Sequence, residues 1–385
     1  MLIVSDMIAG PPSHVASRTV LRAILACLLG VAGVFGLDAL LFRTGLYPAI
    51  LEPDSMAGRF ELILHREQKA QARYGANLVE TLGDSRFAYY PRVANQLTGE
   101  TGYAFRHAGV AGTDIRAWNY MLRDLDPTRR RYRAIVLGVD DYDDEDGSYD
   151  IGDDLATLRY VIARLRLGDV FDLARSFEDR TAQWETIRGG LLKGMVYQAD
   201  IFAFLDHPLK RLAYVRLCNG GYEGWTYDYV DSNKSVAGFQ VDWRTMTATF
   251  PPGAEQSFRN EVQNWVLYPA RPQTGHKAAF RRKWFGELMD RYRGSPTKIV
   301  FLRLPRGPAP RPDGLVVKKS SSIRELAART GAILVDEHAF DSLERPELFR
   351  DAFHLNDTGC ARFSAMMARE VGKALAQPPV REASR

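Results

Sequence analysis

Two short segments at opposite ends of the chain carry residue types suited to acyl transfer. They are Gly83-Asp84-Ser85 and Asp351-Ala352-Phe353-His354-Leu355-Asn356. A serine hydroxyl is too weakly acidic to attack an ester unaided, so an imidazole must take its proton. The imidazole in turn needs a fixed tautomer, which a carboxylate on its far nitrogen supplies. Ser85, His354 and Asp351 are therefore the candidate nucleophile, base and orienting acid. Each segment alone has a plainer reading. Gly-Asp-Ser is usually only a turn, and Asp-x-x-His before a helix is usually a cap with a satisfied histidine. Their order, each at a strand or helix junction, makes them a candidate site together.

The elements that must position these residues can be read from periodicity. Residues 77–82 (NLVETL) form a short apolar run that delivers Ser85 at a strand's C-terminal end. Residues 87–97 read as a helix, bent or started at Pro91, whose N-terminal dipole and free N–H groups would face an oxyanion. Residues 103–106 are a second strand leading into His107-Ala108-Gly109-Val110-Ala111-Gly112, with Thr113 as the cap of a helix over 114–125. Gly112 permits close backbone approach and is a candidate oxyanion donor. Residues 132–137 (YRAIVL) read as a buried parallel strand ending at Gly138-Val139-Asp140-Asp141. Two later strands lie at 298–304 and 332–335, with helices at 275–293, 321–330 and 358–375. Strands alternating with helices argue for an α/β fold with a parallel sheet covered on both faces. Ligands of such sheets bind beyond the carboxyl ends of the strands, where Ser85, Gly112 and Asp140 would all lie.

Between Asp141 and about residue 297 the alternation stops. Residues 150–176 and 183–209 look helical, and 220–256 are rich in aromatics, Gly and Thr. This stretch reads as a long insertion, a lid or acceptor-binding surface. Trp225, Tyr227, Tyr229 and Trp243 could stack on sugar rings there, although ordinary packing is the plainer reading. Acidic residues crowd the segment from Asp140 to Asp146, which reads as a solvated loop rather than a calcium site, since it lacks alternating EF-hand ligands. No metal or cofactor is expected.

Residues 20–42 are apolar and flanked by Arg18 and Arg43. With Arg22 and Asp38 reaching the interfaces, they are long enough for a bilayer core of about 30 Å. A cleaved signal peptide, a lipidation box at Ile24-Leu25-Ala26-Cys27 and a buried core helix are the rivals. The long apolar run after Cys27 and the lack of a small-residue cleavage site favour a single-span anchor. The basic residues before it favour a cytoplasmic N-terminus and an exported body. The full plan is a tail (1–19), a span (20–42), a core (51–141 with 297–376), an insertion (142–296) and a disordered tail (377–385).

With 385 residues, 46% hydrophobic and 25% charged, the chain is of ordinary globular make-up and has room for one large domain or two moderate ones. A net charge of +4 argues against nucleic-acid binding. Cys27, Cys218 and Cys360 have no metal-like spacing, and whether Cys218 and Cys360 pair depends on the fold.

The motifs together resemble the SGNH (GDSL-type) hydrolase superfamily over residues 77–141 and 298–375. Gly83-Asp84-Ser85 matches its nucleophile block and Gly112 its second-block glycine. Asp351 and His354, followed by Leu355-Asn356-Asp357-Thr358-Gly359, match its last block. The resemblance implies a three-layer α/β/α sandwich around a five-stranded parallel, flavodoxin-like sheet. It implies a Ser-His-Asp acyl-enzyme mechanism, with Ser85 and Gly112 amides in the oxyanion hole. One block departs: the family's Gly-x-Asn-Asp is Gly138-Val139-Asp140-Asp141 here. The family's Asn donates its amide to the oxyanion, whereas an ionised Asp140 would repel it. Either Asp140 is protonated, or another donor replaces it, or the loop is remodelled. With its anchor, the chain resembles members that add or remove O-acyl groups on extracytoplasmic polysaccharides beside a multi-span acyltransferase partner. The other reading is a catalytically silent scaffold or glycan-binding subunit of such a complex.

Overall fold

A computed structural model describes residues 14–74, 77–144, 156–220, 233–267, 275–312, 315 and 320–376. In chain order its strands are β1 (Leu78–Leu82), β2 (Ala104–His107), β3 (Ala134–Val139), β4 (Gln240–Asp242), β5 (Thr247–Thr249), β6 (Lys298–Arg303) and β7 (Ile333–Leu334). β4 and β5 pair as a small antiparallel hairpin. The other five form one parallel sheet in the order β2-β1-β3-β6-β7. The direction of winding reverses between β1 and β3, so the crevice beyond their carboxyl ends is the natural ligand position.

Both faces of the sheet are covered, as the apolar runs require. Side chains alternate along each strand, so Ile135 and Leu137 enter one core while Val136 enters the other. Helices Met56–Tyr74, Ile115–Leu125, His276–Arg291 and Ser322–Thr330 close the first core, around Trp118, Leu122 and Trp284. Helices Pro91–Asn95 and Asp357–Ala376 close the second, around Phe363 and Met367. Each fully buried side chain of this kind contributes about 1.5–3 kcal/mol relative to exposure. The expected cap at Thr113 falls one residue later. Asp114 takes the amides of Arg116 (2.9 Å) and Ala117 (3.3 Å), while Thr113 bonds the Val110 carbonyl and the Trp118 indole.

The long segment between β3 and β6 differs in detail from the two helical stretches, 150–176 and 183–209, read from sequence. Its helices are short, broken at an extended Leu165 and restarted at Asp179, which caps Arg180–Leu191, and at Pro208, which opens Pro208–Asn219. Residues 156–220 bury Tyr160, Val161 and Leu173 in the first core. Residues 233–267, including the hairpin, bury Phe239, Phe258 and Val262 in the second. The insertion is therefore divided between the two faces, and its end, His276–Arg291, is one of the covering helices.

The N-terminal helix His14–Arg43 contains a stretch, Thr19–Arg43, long and apolar enough to cross a membrane. Its last turns are fastened to the body. Asp38 Oδ1 accepts the Gly194 amide at 2.7 Å, and Arg43 Nη2 donates to the Gly190 carbonyl at 3.2 Å. Phe42 stacks between Tyr47 and Tyr197, with ring centres 5.9 and 5.6 Å away. Cys27, Cys218 and Cys360 are all free thiols, so Cys218 and Cys360 do not pair.

Candidate active site

Ser85 lies in a tight turn directly after β1, closed by the Phe87 amide donating to the Asp84 carbonyl at 3.1 Å. Two glycines make the turn possible. A Cβ on Gly83 would stand 2.5 Å from Phe87 Cβ, and one on Gly138 would stand 2.9 Å from Phe87 Cγ. The Phe87 ring therefore plugs the ends of β1 and β3 together and is completely buried. Asp84 shapes the outer side, taking the Arg86 amide at 2.9 Å and the Arg86 guanidinium at 2.7 Å. That pairing occupies Arg86 with its neighbour two residues away.

One expectation here is corrected. Residues 87–90 are not helical, and the helix starts at Pro91, five residues long, so Ser85 does not sit at its N-terminus. The cause is local: Phe87, Ala88 and Tyr89 are drawn into the second core, Tyr90 is extended, and Pro91 needs no amide partner at a first turn. Asp84 also consumes the amides of Arg86 and Phe87. Among the amides of residues 85–87, that of Ser85 is left for an oxyanion.

The histidine arrives on a loop pinched at its base. Phe349 and Leu355 form an antiparallel bridge, and the Arg350 amide donates to the His354 carbonyl at 3.0 Å. Asn356 then caps the helix Asp357–Ala376, accepting the Gly359 amide at 3.0 Å while its own amide nitrogen donates to the Glu347 carbonyl at 2.8 Å. Asp351 Oδ1 takes the amides of Phe353 (2.8 Å) and His354 (2.7 Å), which curls the loop back on itself.

That curl sets the three groups in a row. His354 Nε2 lies 2.9 Å from Ser85 Oγ, and His354 Nδ1 lies 2.8 Å from Asp351 Oδ2 and 3.0 Å from Oδ1. Burial works to raise the Asp351 pKa, yet its bond and charge pairing with His354, together with the two amides, hold it below the usual carboxylate range. Asp351 is thus ionised, accepts from Nδ1–H, and leaves Nε2 as the proton acceptor toward Ser85. Ser85, His354 and Asp351 are partly shielded, none fully buried.

Gly112 sits in a turn after β2 at φ 71°, a conformation that favours glycine. The loop leading to it lies beside the serine turn: the Val110 amide donates to the Gly83 carbonyl at 3.2 Å. From the insertion, the Tyr160 hydroxyl donates to the Ala111 carbonyl, and it would stand 3.3 Å from a Cβ on Gly112.

Asp140, at the end of β3, is ionised. Lys277 Nζ lies 2.5 Å from its Oδ2 and Arg281 Nη2 lies 2.5 Å from its Oδ1. Burial pushes its pKa up; Lys277, then Arg281 and Arg86, outweigh that and hold it far below the usual range. It therefore has no proton to donate to an oxyanion, and a carboxylate paired with two cations stands where the resemblance would place a neutral amide. The acidic run is also less solvated than its composition suggested. Asp144 is buried, accepting from Ser320, Ser322 and Arg281, and the Tyr142 hydroxyl donates to the Phe301 and Val335 carbonyls. Glu145 and Asp146 lie outside the described residues.

Sequence reading missed three residues near this site. Lys277 and Arg281 are four apart on one helix, a spacing that puts both on one face and was a usable signal. Glu261 had none: its Oε2 accepts the Ala352 amide at 3.5 Å, and its pKa is raised by burial and then by the charge of Asp351. Of the aromatics proposed for sugar stacking, Trp243 is half-buried and donates its indole N–H to the Pro310 carbonyl at 2.9 Å. Trp225, Tyr227 and Tyr229 lie outside the described residues. No protein-family model, curated protein or solved structure matches the chain.

Proposed function

We propose that this chain is a serine acyl-transfer enzyme of the SGNH type. The observation that carries this reading is the Ser85–His354–Asp351 row at the β1/β3 switch point of a parallel sheet. His354 Nε2 takes the Ser85 proton as Oγ attacks an ester carbonyl. The tetrahedral intermediate collapses, His354 returns the proton to the departing alkoxide, and the acyl group remains on Ser85. In the second half, a water or sugar hydroxyl loses its proton to His354 and attacks the acyl carbon, and His354 returns that proton to Ser85 Oγ as the Ser85–acyl bond breaks. Asp351 stays charged throughout and stabilises the imidazolium. The amides of Ser85 and Gly112 are the proposed oxyanion donors.

The apolar helix and the basic residues before it support an anchored body on the outer face of the cytoplasmic membrane, the periplasmic side. The proposed substrate is an O-acylated, typically acetylated, extracytoplasmic polysaccharide, and the proposed partner a multi-span acyltransferase. A second reading, a silent scaffold or glycan-binding subunit, is favoured by the ionised Asp140. Incubating the full chain with a fluorophosphonate probe and with p-nitrophenyl acetate decides between them. The enzyme reading expects Ser85-dependent labelling and turnover. Wild type and Ser85→Ala behaving alike would sink it. Adding an O-acetylated oligosaccharide and weighing the products separates transfer from hydrolysis.

A further inference from the structure

Outside the N-terminal helix, the large apolar side chains exposed among the described residues fall in two stretches of the chain. Nearly all lie between Leu46 and Met56 or between Leu167 and Leu217; Trp265 is the exception. Helix Gln198–Asp206 turns Phe202 and Leu205 outward, and helix Pro208–Asn219 turns out Leu209 and Leu217. Leu209, Ala213 and Leu217, all exposed, repeat every four residues and so form one stripe. Leu209 is 80% exposed and Leu205 64%, which is costly in water unless something covers them.

Their place in the fold says what covers them. The Gly194 amide is bonded to Asp38, and Gly190 to Arg43, within the last turns of the apolar helix. Twenty-five residues of helix are about 37 Å long against a bilayer core of about 30 Å, so Asp38–Arg43 stand at headgroup depth. Gly194 stands at that depth with them. Leu191 and Met195, both exposed, flank it, and Phe202 and Leu205 follow within about three turns of chain. Exposed Asp206, Lys210 and Arg216 interrupt the stripe. Charges of both signs beside large apolar groups suit a headgroup layer, whereas the core of a protein interface is depleted of charge.

We propose that the helix pair 198–219, with Leu191 and Met195, lies in the lipid headgroup layer as a second, interfacial membrane contact. The inference rests on Thr19–Arg43 being a span. Leu205, Leu209 and Leu217 meet the acyl boundary, and Lys210 and Arg216 extend toward phosphates.

The test uses the full chain, one copy per nanodisc of phosphatidylcholine and phosphatidylglycerol (3:1), with Cys27 and Cys218 changed to Ser. A polarity-sensitive fluorophore is placed on Leu205→Cys, on Leu209→Cys, and on Lys298→Cys as an exposed reference. Labels at 205 and 209 are expected to show blue-shifted emission and strong quenching by lipid-borne nitroxides, and the 298 label neither. Emission and quenching at 205 and 209 equal to those at 298 would overturn the proposal. So would shielding seen only when two or more copies share a disc, which marks self-association. Cys27, labelled with the other sites removed, reports the span itself. If it escapes acyl-chain nitroxides, the span reading has failed and the interfacial contact falls with it.

Discussion

Phe87 and Gly138 are in contact across the ends of two neighbouring strands, and no Cβ fits between them. The serine turn is therefore seated on β3 as well as on β1. Gly138→Ala is expected to destabilise the fold by about 1–3 kcal/mol, the usual cost of overpacking. Thermal unfolding measures it, and Gly138→Ala combined with Phe87→Leu should recover part of the loss. No recovery would mean the ring is not what the added methyl meets.

Asp351 holds one tautomer of His354 and makes no direct contact with Ser85 in the proposed chemistry. Asp351→Asn should lower turnover of p-nitrophenyl acetate by about 10³–10⁴-fold. Ser85→Ala should abolish fluorophosphonate labelling while leaving the unfolding midpoint nearly unchanged. Retained labelling in Ser85→Ala would move the nucleophile elsewhere.

Asp140→Asn restores the amide that the resemblance would place at this position, but strips Lys277 and Arg281 of a carboxylate. Both cations are largely shielded from water. Lys277 loses that charge and Arg281 one of two, since Asp144 still pairs with it at 3.2 Å; the change is expected to cost on the order of 3 kcal/mol, read by chemical denaturation. An unchanged midpoint would show that water, and not Asp140, solvates the two cations.

Two buried groups under β1 and β2 give the stability opposite pH slopes. His107 is pulled down to about 3 by burial and then by the charge of Arg66. Between about 3 and its ordinary value near 6.5, the unfolded chain binds a proton that the folded chain refuses. Stability is therefore lost as pH falls through that window, by about 5 kcal/mol at most. Glu80 is the reverse. Burial, then the charge of Glu67, raises its pKa well above the usual range, and Glu67 already takes the guanidinium of Arg106 at 2.9 Å. The folded chain keeps a proton there that the unfolded chain loses, so stability falls as pH rises above the ordinary Glu range near 4.3. Unfolding midpoints across pH should flatten on the acid side in His107→Phe and on the alkaline side in Glu80→Gln. Unaltered slopes would remove these groups from the account.

The sheet was legible because buried parallel strands are written as largely apolar runs: YRAIVL and KIVFLRL fall on β3 and β6 with boundary errors of one or two residues. Ser85, Asp351 and His354 were legible from their motifs. The helix after Ser85 was misread because Phe87–Tyr90 suits a helix as well as a strand, and only the glycine contacts with Phe87 decide the matter. The fate of Asp140 was hidden for another reason. Its cations come from 137 and 141 residues away, and no local pattern encodes a pairing across that distance.

Ser85 and His354 stand 269 positions apart and bond directly. A chain still being made, or one missing its last hundred residues, holds Ser85 as an ordinary alcohol with no base beside it. The Asp351–His354 loop hangs between β7 and the final helix, so its closure on the serine turn is a contact of very long sequence separation, the kind that is slow to form. In the proposed chemistry, reactivity at Ser85 would thus be a late product of folding. A serine-directed probe added during refolding would time the last closure, whereas circular dichroism would time the sheet.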